Sequence, residues 1–399
     1  MQSFRYHLNI IELTVPLLLG MSASAIAQNA IYVTKAGSPD PDGSQAKPYQ
    51  MVEAGIVRTL TSPARTVEIA AGKYYETFTT DTPVVLTAAG GSAVIGKLGY
   101  QAATTLEIII LNTHLAGDEV FMPSWQDYER ADDIADFFGG PNPSPDVVGF
   151  QEIWDEDLFF GGDGANGIRP RSGYPHGDHG DIEGDILNSG LALMSKYPLV
   201  GFAQVEYEEE AGTFEPNAAK GWVQATIYKN GFAIGLFNTH TQADYSSSDL
   251  EARSAQIAQL RDAIANYRAS HPDHVVFAMG DFNVYGEQSE YYNVLIPRMG
   301  AQAGGRDSDR NSPGFDFTGA QHTTYCDCNP LATYFDDEAV SGRLDYIFYL
   351  PSHAGSVEVI PTTVEVLPFI GRTLSEDGLT TNQSSDHWGL YGKYKLIRR

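Results

Sequence analysis

Cysteine is almost absent from this chain: there are two in 399 residues, Cys326 and Cys328, separated by one aspartate. That count excludes a disulfide-dense scaffold. With no further cysteine or paired histidine nearby, it also argues against a four-ligand structural zinc site. The pair reads as a local staple or as two free thiols, outside any catalytic machinery. Basic residues are scarce too, 25 Lys and Arg against 51 Asp and Glu, for a formal net charge of -26. Nucleic-acid affinity comes largely from cations on phosphates, so this balance disfavours a nucleic-acid partner. An acidic surface that only maintains solubility accounts for it equally well. Long apolar runs are missing as well. Beyond the N-terminus nothing approaches the ~20 apolar residues needed to cross a bilayer.

What is present suits a folded chain of one large and one small domain, 42% hydrophobic and 11% aromatic. Arg5 and His7 precede an apolar run from Val15 to Gly20, and Ala25-Ile26-Ala27 supplies the small residues that a signal peptidase reads. Residues 1–27 are therefore expected to be a signal peptide, and the mature protein secreted or periplasmic with no transmembrane segment. The leader carries one Arg and one Glu, so its removal leaves the net charge at -26. Residues 28–100 are rich in Gly, Thr and short β-prone runs, which predicts a small β-rich module. Its layout resembles the opening coils of right-handed parallel β-helix proteins. Fewer than three coils bury little core alone.

From residue 101 to 399 the pattern changes to buried strands alternating with helices. Leu106 to Leu111 (LEIIIL) is a continuous apolar run, expected of a strand covered on both faces. A helix is predicted over Ser124–Phe138 with Ser124 and Asp127 as its cap, and another over Ser248–Tyr267 with Ser248 and Glu251 as capping box. Further strands are expected near Asp146–Phe150, Gly190–Met194, Trp222–Tyr228, Phe232–Phe237, His274–Met279, Leu344–Tyr349, Val357–Ile360 and Trp388–Tyr394. The Gly-, Asp- and His-dense stretch Gly161–Asp185 reads as a long loop, and His176, Asp178, His179 and Asp181 in it as solvated residues.

Polar residues recur at the C-terminal ends of these strands, where loops can gather them into one cleft. They are Asn112 in LNTHL, Glu152 in VVGFQE, His240 in FNTHTQAD, Asp281 and Asn283 in MGDFN, Asp345 in RLDYIF, and Asp386 with His387 in SSDH. Singly, each is an ordinary turn or hydrogen-bonding residue. Together and in this order they resemble the endonuclease/exonuclease/phosphatase superfamily over about Thr105 to Leu396. The resemblance implies an α/β (α+β) four-layer sandwich, two packed β-sheets flanked by helices, preceded here by the small β-rich module. It also implies hydrolysis of a phosphodiester. Such an ester is anionic and resists attack, so cleavage needs cations on its oxygens and an activated water.

By the same resemblance Glu152 is the principal metal ligand with Asn112 beside it, and Asp281 and Asn283 orient water or bind a second metal and the phosphate. His387 is the general base, held by Asp345 and counted with the metal-side residues, where Asp386 supports the pocket. His240 stabilises the pentacovalent transition state or assists proton transfer. The cofactor implied is a divalent cation, Mg²⁺ or else Mn²⁺, Co²⁺ or Ca²⁺.

Within the superfamily, Ala219-Lys220-Gly221-Trp222 and Thr239-His240-Thr241-Gln242-Ala243-Asp244 resemble segments of the bacterial neutral sphingomyelinases, as does Gly190 to Pro198 more loosely. This implies a phospholipid substrate, possible action at a membrane surface, and Lys220 as a cation near the phosphate. One departure stands out. The interval between the LDY and SDH motifs lacks the Trp-Phe pair of an aromatic-tipped hairpin. It offers only Phe369 and Ile370, a reduced membrane anchor or buried strand residues. The alternatives are an extracellular nuclease or phosphomonoesterase on the same scaffold, and a non-catalytic surface-binding protein. Oligomeric state is not encoded in these patterns.

Overall fold

The computed structural model describes residues 10–13, 30–38, 41–61, 64, 66–74, 84–96, 103–117, 124–141, 144–162, 166–180, 188–211, 219–311 and 323–398. Apart from residues 10–13, the expected leader lies outside the described residues, as does Asp181. Contacts divide the chain into two compact units, residues 1–102 with 228–232, and residues 103–227 with 233–399.

The first unit holds a four-stranded sheet in the order β1-β4-β3-β2, formed by β1 (Ile10–Leu13), β2 (Ala30–Val33), β3 (Thr66–Tyr74) and β4 (Val85–Gly96). β2, β3 and β4 run parallel, and β1 is antiparallel to β4. The sequence suggested strands alone, but a helix, α1 (Val52–Thr61), stands between β2 and β3. Val52 and Ile56, four residues apart on one helical face, pack with Val33, Val67, Ile69 and Tyr74. The helix lies close to the sheet at Gly55, where a Cβ would come within 2.8 Å of Val33.

The second unit contains two six-stranded sheets. The first follows the order β15-β18-β5-β6-β8-β7, from β15 (Val357–Leu367), β18 (Gly389–Arg398), β5 (Ala103–Leu115), β6 (Val147–Ile153), β8 (Ala192–Ser195) and β7 (His176–His179). The second follows the order β13-β14-β12-β11-β10-β9, from β13 (Arg306–Asp307), β14 (Asp345–Leu350), β12 (Val275–Asp281), β11 (Phe232–His240), β10 (Gly221–Lys229) and β9 (Val200–Glu206). β5 shows why its apolar run is unbroken. Ile109 and Leu111 pack with Ile134 and Phe138 of α2 (Asp127–Gly139), while Ile108 and Ile110 on the opposite face are equally buried. On the second sheet Phe237, Val276 and Ala278 are covered by Ile257, Leu260 and Ile264 of α5 (Ser247–Ser270) and by Leu295 and Met299 of a wide-turn helix, Tyr291–Gln302. Helix, sheet, sheet and helix thus form the four-layer sandwich expected. Short helices α3 (Glu156–Phe160), α4 (Ile168–Ser172) and α6 (Pro330–Phe335) and the hairpin β16 (Ile370–Glu376) and β17 (Leu379–Gln383) complete the unit.

Polar bonds cross the buried space between the sheets. The Gln151 amide donates to Asn238 Oδ1 at 2.6 Å, and the Asn238 amide donates to the Phe150 carbonyl at 2.7 Å. Unpaired, such groups would be costly in this interior, so their pairing fixes how the two sheets face each other.

Several local expectations are corrected. α2 begins at Asp127 with Gln126 before it, and Ser124 is no cap. The Asp127 carboxylate instead accepts the N–H groups of Ala116, Gly117 and Trp125. α5 is capped by Ser246 and Asp249, two residues earlier than the expected box. The predicted long loop Gly161–Asp185 contains edge strand β7, where His179 is buried and its Nε2 lies 2.7 Å from the Ile153 carbonyl. Phe369 is core, 4.2 Å from the Phe137 ring, while Ile370 is half exposed. Cys326 and Cys328 form a disulfide.

Candidate active site

The polar strand ends converge at one end of the sandwich because the sheet registers align them. His240 is the partner of Asp281 across the parallel β11–β12 pair, and Asp281 is the partner of Asp345 across the antiparallel β12–β14 pair. Three adjacent strands therefore deliver three ionisable groups at one level. From the facing sheet, Asn112 at the end of β5 donates its amide to Asp281 Oδ2 at 3.0 Å.

His387 precedes β18, and its Nδ1 lies 2.9 Å from Asp345 Oδ2, while its Nε2 lies 3.8 Å from Asp281 Oδ2. Burial opposes a charge on this imidazole, but Asp345, Asp386 and Asp281 surround it and push its pKa up to about 10. Burial and the neighbouring Asp345 likewise push Asp281 up to about 7, against the pull of His387 and Asn112. This half of the site holds more carboxylate than it has hydrogen to share.

Around Glu152 the balance is reversed. His114 Nδ1 lies 3.3 Å from its Oε2 and His240 Nε2 lies 3.4 Å from its Oε1. Although burial favours the neutral acid, His114, His240 and Lys220 hold the Glu152 carboxyl well below the usual carboxylate range. Lys220 Nζ is 3.3 Å from His240 Nε2 and 3.4 Å from its Nδ1. Burial and this ammonium bring His240 down to about 3, so it is neutral at physiological pH.

Three of these residues sit on left-handed backbone, His114 at φ 46°, Glu152 at φ 60° and Asn283 at φ 49°. Such conformations cost of order 1–3 kcal/mol each and persist where the surroundings enforce them. Those surroundings are identifiable. Gly190, itself at φ 63°, lies so close that a Cβ there would be 2.8 Å from Glu152 Cα. Asn283 is held by its N–H on Asp281 Oδ1 and by its amide on the Thr241 carbonyl. The buried Arg130 guanidinium donates to the Thr113, His114 and Ser384 carbonyls.

The residues expected at the site, Asn112, Glu152, Lys220, His240, Asp281, Asn283, Asp345, Asp386 and His387, lie in this cluster, with Asp386 tied by Oδ1 to the His387 N–H. Four neighbours were missed. His114 contacts both Glu152 and Asp386. Tyr325 lays its ring 4.9 Å from that of His387, and Asn329 donates to the Ser385 and Asp386 carbonyls at 2.9 Å each. Phe335, ending α6, stacks on His114 at 3.8 Å. Only His114 carried a signal, as a second polar residue in the LNTHL motif.

The donor set fits a divalent cation. Asp345 Oδ1 is buried and meets no hydrogen-bond donor among the described residues, and ligand atoms of Asp281, Asp345 and His387 lie within 4.8 Å of one another. Hard carboxylate oxygens of this kind suit ions of the magnesium type.

A model of the Endonuclease/Exonuclease/phosphatase family matches residues 113–387. Sphingomyelinase C 2 of Leptospira interrogans is 29% identical over 211 residues, 52% of this chain and 31% of that protein. Phospholipase C of Staphylococcus aureus is 25% identical over 286 residues, 66% of this chain and 79% of that one. The chain spans only about a third of the two Leptospira interrogans sphingomyelinases it matches, 31% and 35% of their lengths. Among solved structures, a Staphylococcus aureus beta toxin variant with bound magnesium ions superposes with a TM-score of 0.59 at 22% identity, covering 74% of this chain and all of that one. Sphingomyelinase C of Streptomyces griseocarneus gives a TM-score of 0.54 at 23% identity, over 73% of this chain and 99% of that one. With the family match spanning more than half its length and the fold shared, the chain belongs to the endonuclease/exonuclease/phosphatase family.

Proposed function

We propose that this protein is an exported, divalent-cation-dependent phosphodiester hydrolase of the phospholipase C type, releasing a phosphorylated headgroup from sphingomyelin or a related phospholipid. The carrying observation is the His387–Asp345 pair beside Asp281, a buried imidazole with one nitrogen fixed by a carboxylate and the other turned toward a second one. Relatives named as sphingomyelinases and phospholipases C support the substrate class. The leader pattern and the disulfide support export.

In this reading the cation, Mg²⁺ or a related ion, supplies Lewis-acid stabilisation of the phosphoryl oxygens. Glu152 and Asp386 would hold it together with Asp281, which Asn112 fixes, and Asn283 would offer the second hydrogen of its amide to the phosphate. With a cation bound to offset the carboxylates that surround it, His387 in its neutral form would take a proton from water through Nε2, and Asp345 fixes its tautomer and orientation. His240, kept neutral, hydrogen-bonds the developing transition state, and Lys220 beside it supplies the positive charge that His240 lacks. Water attacks phosphorus in line and the P–O bond to the lipid alcohol breaks, with no covalent enzyme intermediate. The hairpin between the LDY and SDH motifs turns at Asp377-Gly378 and Phe369 is folded into the core, so this element presents an acidic tip. No helix among the described residues is long and apolar enough to cross a membrane.

A substrate panel tests the reading: sphingomyelin, a lysophospholipid, plasmid DNA and a phosphomonoester, each in Mg²⁺ and in EDTA, with H387A as control. Metal-dependent phosphocholine release that vanishes in H387A is the expected result. DNA nicking or free phosphate would overturn the lipid assignment, and silence on every substrate would overturn the enzyme assignment.

A further inference from the structure

We propose that His114 is a nitrogen ligand of the divalent cation held at Glu152, and that it shifts the ion preference of the site from magnesium toward cobalt(II) and zinc. The inference rests on the metal-dependent reading above and adds to it a ligand and a selectivity.

The backbone supplies the first argument. β5 pairs with β6 in regular parallel register up to Asn112 opposite Gln151, and the register then shifts before Leu115 opposite Ile153. His114 lies within this irregularity, at φ 46°. A bulge re-aims a side chain that the strand alternation would otherwise direct elsewhere. Here the backbone is held by the Arg130 guanidinium on the Thr113 and His114 carbonyls and by the Thr113 hydroxyl on the Gln151 and Glu152 carbonyls.

The ring is fixed as firmly. It stacks on Phe335 at 3.8 Å with planes 21° apart and meets the Trp154 ring edge-on at 5.6 Å. In that orientation Nδ1 stands 3.3 Å from Glu152 Oε2 and 3.7 Å from Asp386 Oδ2. Neighbouring ligands of one octahedral ion with bonds of about 2.1 Å lie about 3 Å apart, so His114 and Glu152 already have the separation of two ligands on one ion.

The third argument concerns Asn112, the amide first assigned a place beside Glu152. Its nitrogen donates to Asp281 Oδ2 and its oxygen accepts the His114 N–H at 3.3 Å. With that side chain committed to the Asp281 half, His114 is the side chain that faces Glu152 from this strand. An imidazole beside a carboxylate gives a mixed nitrogen and oxygen donor set. Imidazole suits zinc and the later first-row ions, whereas all-oxygen sets suit magnesium and calcium.

The test is metal binding by the full chain, followed by calorimetry with Co²⁺ alone and Mg²⁺ alone and by quenching of Trp fluorescence by Co²⁺. Trp154 lies against the His114 ring and reports occupancy without reference to turnover. Wild type, H114Q and H114N are compared, with thermal unfolding in EDTA to establish that each is folded. H114N covers the case in which H114Q does not fold. The expected result is a loss of about 10–100-fold in Co²⁺ affinity, the range seen when metal-site partners are removed, with Mg²⁺ affinity changed less than about threefold. Equal losses for both ions, unchanged affinity for both, or no Co²⁺ binding by wild type would overturn the inference. The substrate panel is a separate measurement. Selective Co²⁺ loss in a protein that cleaves no phosphodiester would sink the hydrolase reading and leave the His114 ligand standing. Active, Mg²⁺-dependent turnover with an unchanged Co²⁺ preference would do the reverse.

Discussion

The two halves of the cleft are built from the same residue types and reach opposite charge balances. Around Glu152, one carboxylate faces His114, His240 and, through His240, Lys220, and it stays ionised. Around Asp281, carboxylates outnumber cations, so Asp281 rises to about 7 and His387 to about 10. The difference teaches that residue identity does not set protonation here; the ratio of neighbours does. A carboxylate ringed by nitrogen donors is ready to hold a cation, and an imidazole ringed by carboxylates is ready to hold a proton.

The most severe way to break this contrast is H387A. We expect its kcat/KM to fall by about 10²–10⁴-fold, while Mg²⁺ affinity by calorimetry falls less than in E152Q, because Asp281 and Asp345 remain beside the lost imidazole. Loss of metal binding in parallel would show that the two halves are not separable. The converse change, E152Q, should weaken divalent-cation affinity by about 10–100-fold, with part of the turnover recovered at saturating metal. A variant whose rate stayed down at any metal concentration would place Glu152 in the proton-handling half instead.

A pH series sharpens the comparison further. Asp281 and His387 both have folded-state values raised above the ordinary 3.8 and 6.5, so their contribution is complete below those values and is lost as pH rises through about 7 and about 10. In EDTA the wild-type Tm should therefore fall between pH 6 and pH 9, and D281N should fall less steeply over the same interval. Glu152 has the opposite sign: its contribution is kept at neutral pH and lost only on acidification below the carboxylate range. A Tm that rose with pH in EDTA would contradict this assignment.

The smallest effect is expected from removing the disulfide with C326S/C328S. The Cys326–Cys328 ring closes over a single intervening residue, so the chain entropy it removes is small, worth about 1–2 kcal/mol. The double variant should melt a few degrees lower and keep its activity within about tenfold. A larger loss of activity than of stability would mean that the staple positions the Asn329 side chain on the Ser385 and Asp386 carbonyls.

Much of this was legible in the sequence because strand ends announce themselves: an apolar run stops and a polar motif follows. Glu152, His240 and Asp281 were readable in that way, whereas Asp345, expected at a C-terminal strand end, opens β14 and reaches the same level because β14 runs antiparallel to β12; the sandwich followed from the resemblance they carried. What stayed hidden depends on choices between local equals. Ser246, Ser247 and Ser248 can each cap a helix, and Asp249, bonded back to the Ser246 N–H, decides for the first. Asp127 could have completed a cap, but three N–H groups of the Ala116–Trp125 region claimed its carboxylate. The bulge at His114 leaves no mark in LNTHL, where the histidine reads only as one more polar residue at a strand end. Asn329 and Phe335 reach the site from a segment with no motif, through the turn and short helix that follow the disulfide.

The alignment of His240, Asp281 and Asp345 across three neighbouring strands separates spacing in space from spacing along the chain. Their distances are those of a β ladder, whatever the length of the excursions between them. The loops within those excursions are free to lengthen or shorten, provided that the same strands return to the same rungs and α5 keeps Ile257, Leu260 and Ile264 over the sheet. A chain reopened at the exposed Asp377-Gly378 turn, with new ends there, should still assemble the same triplet.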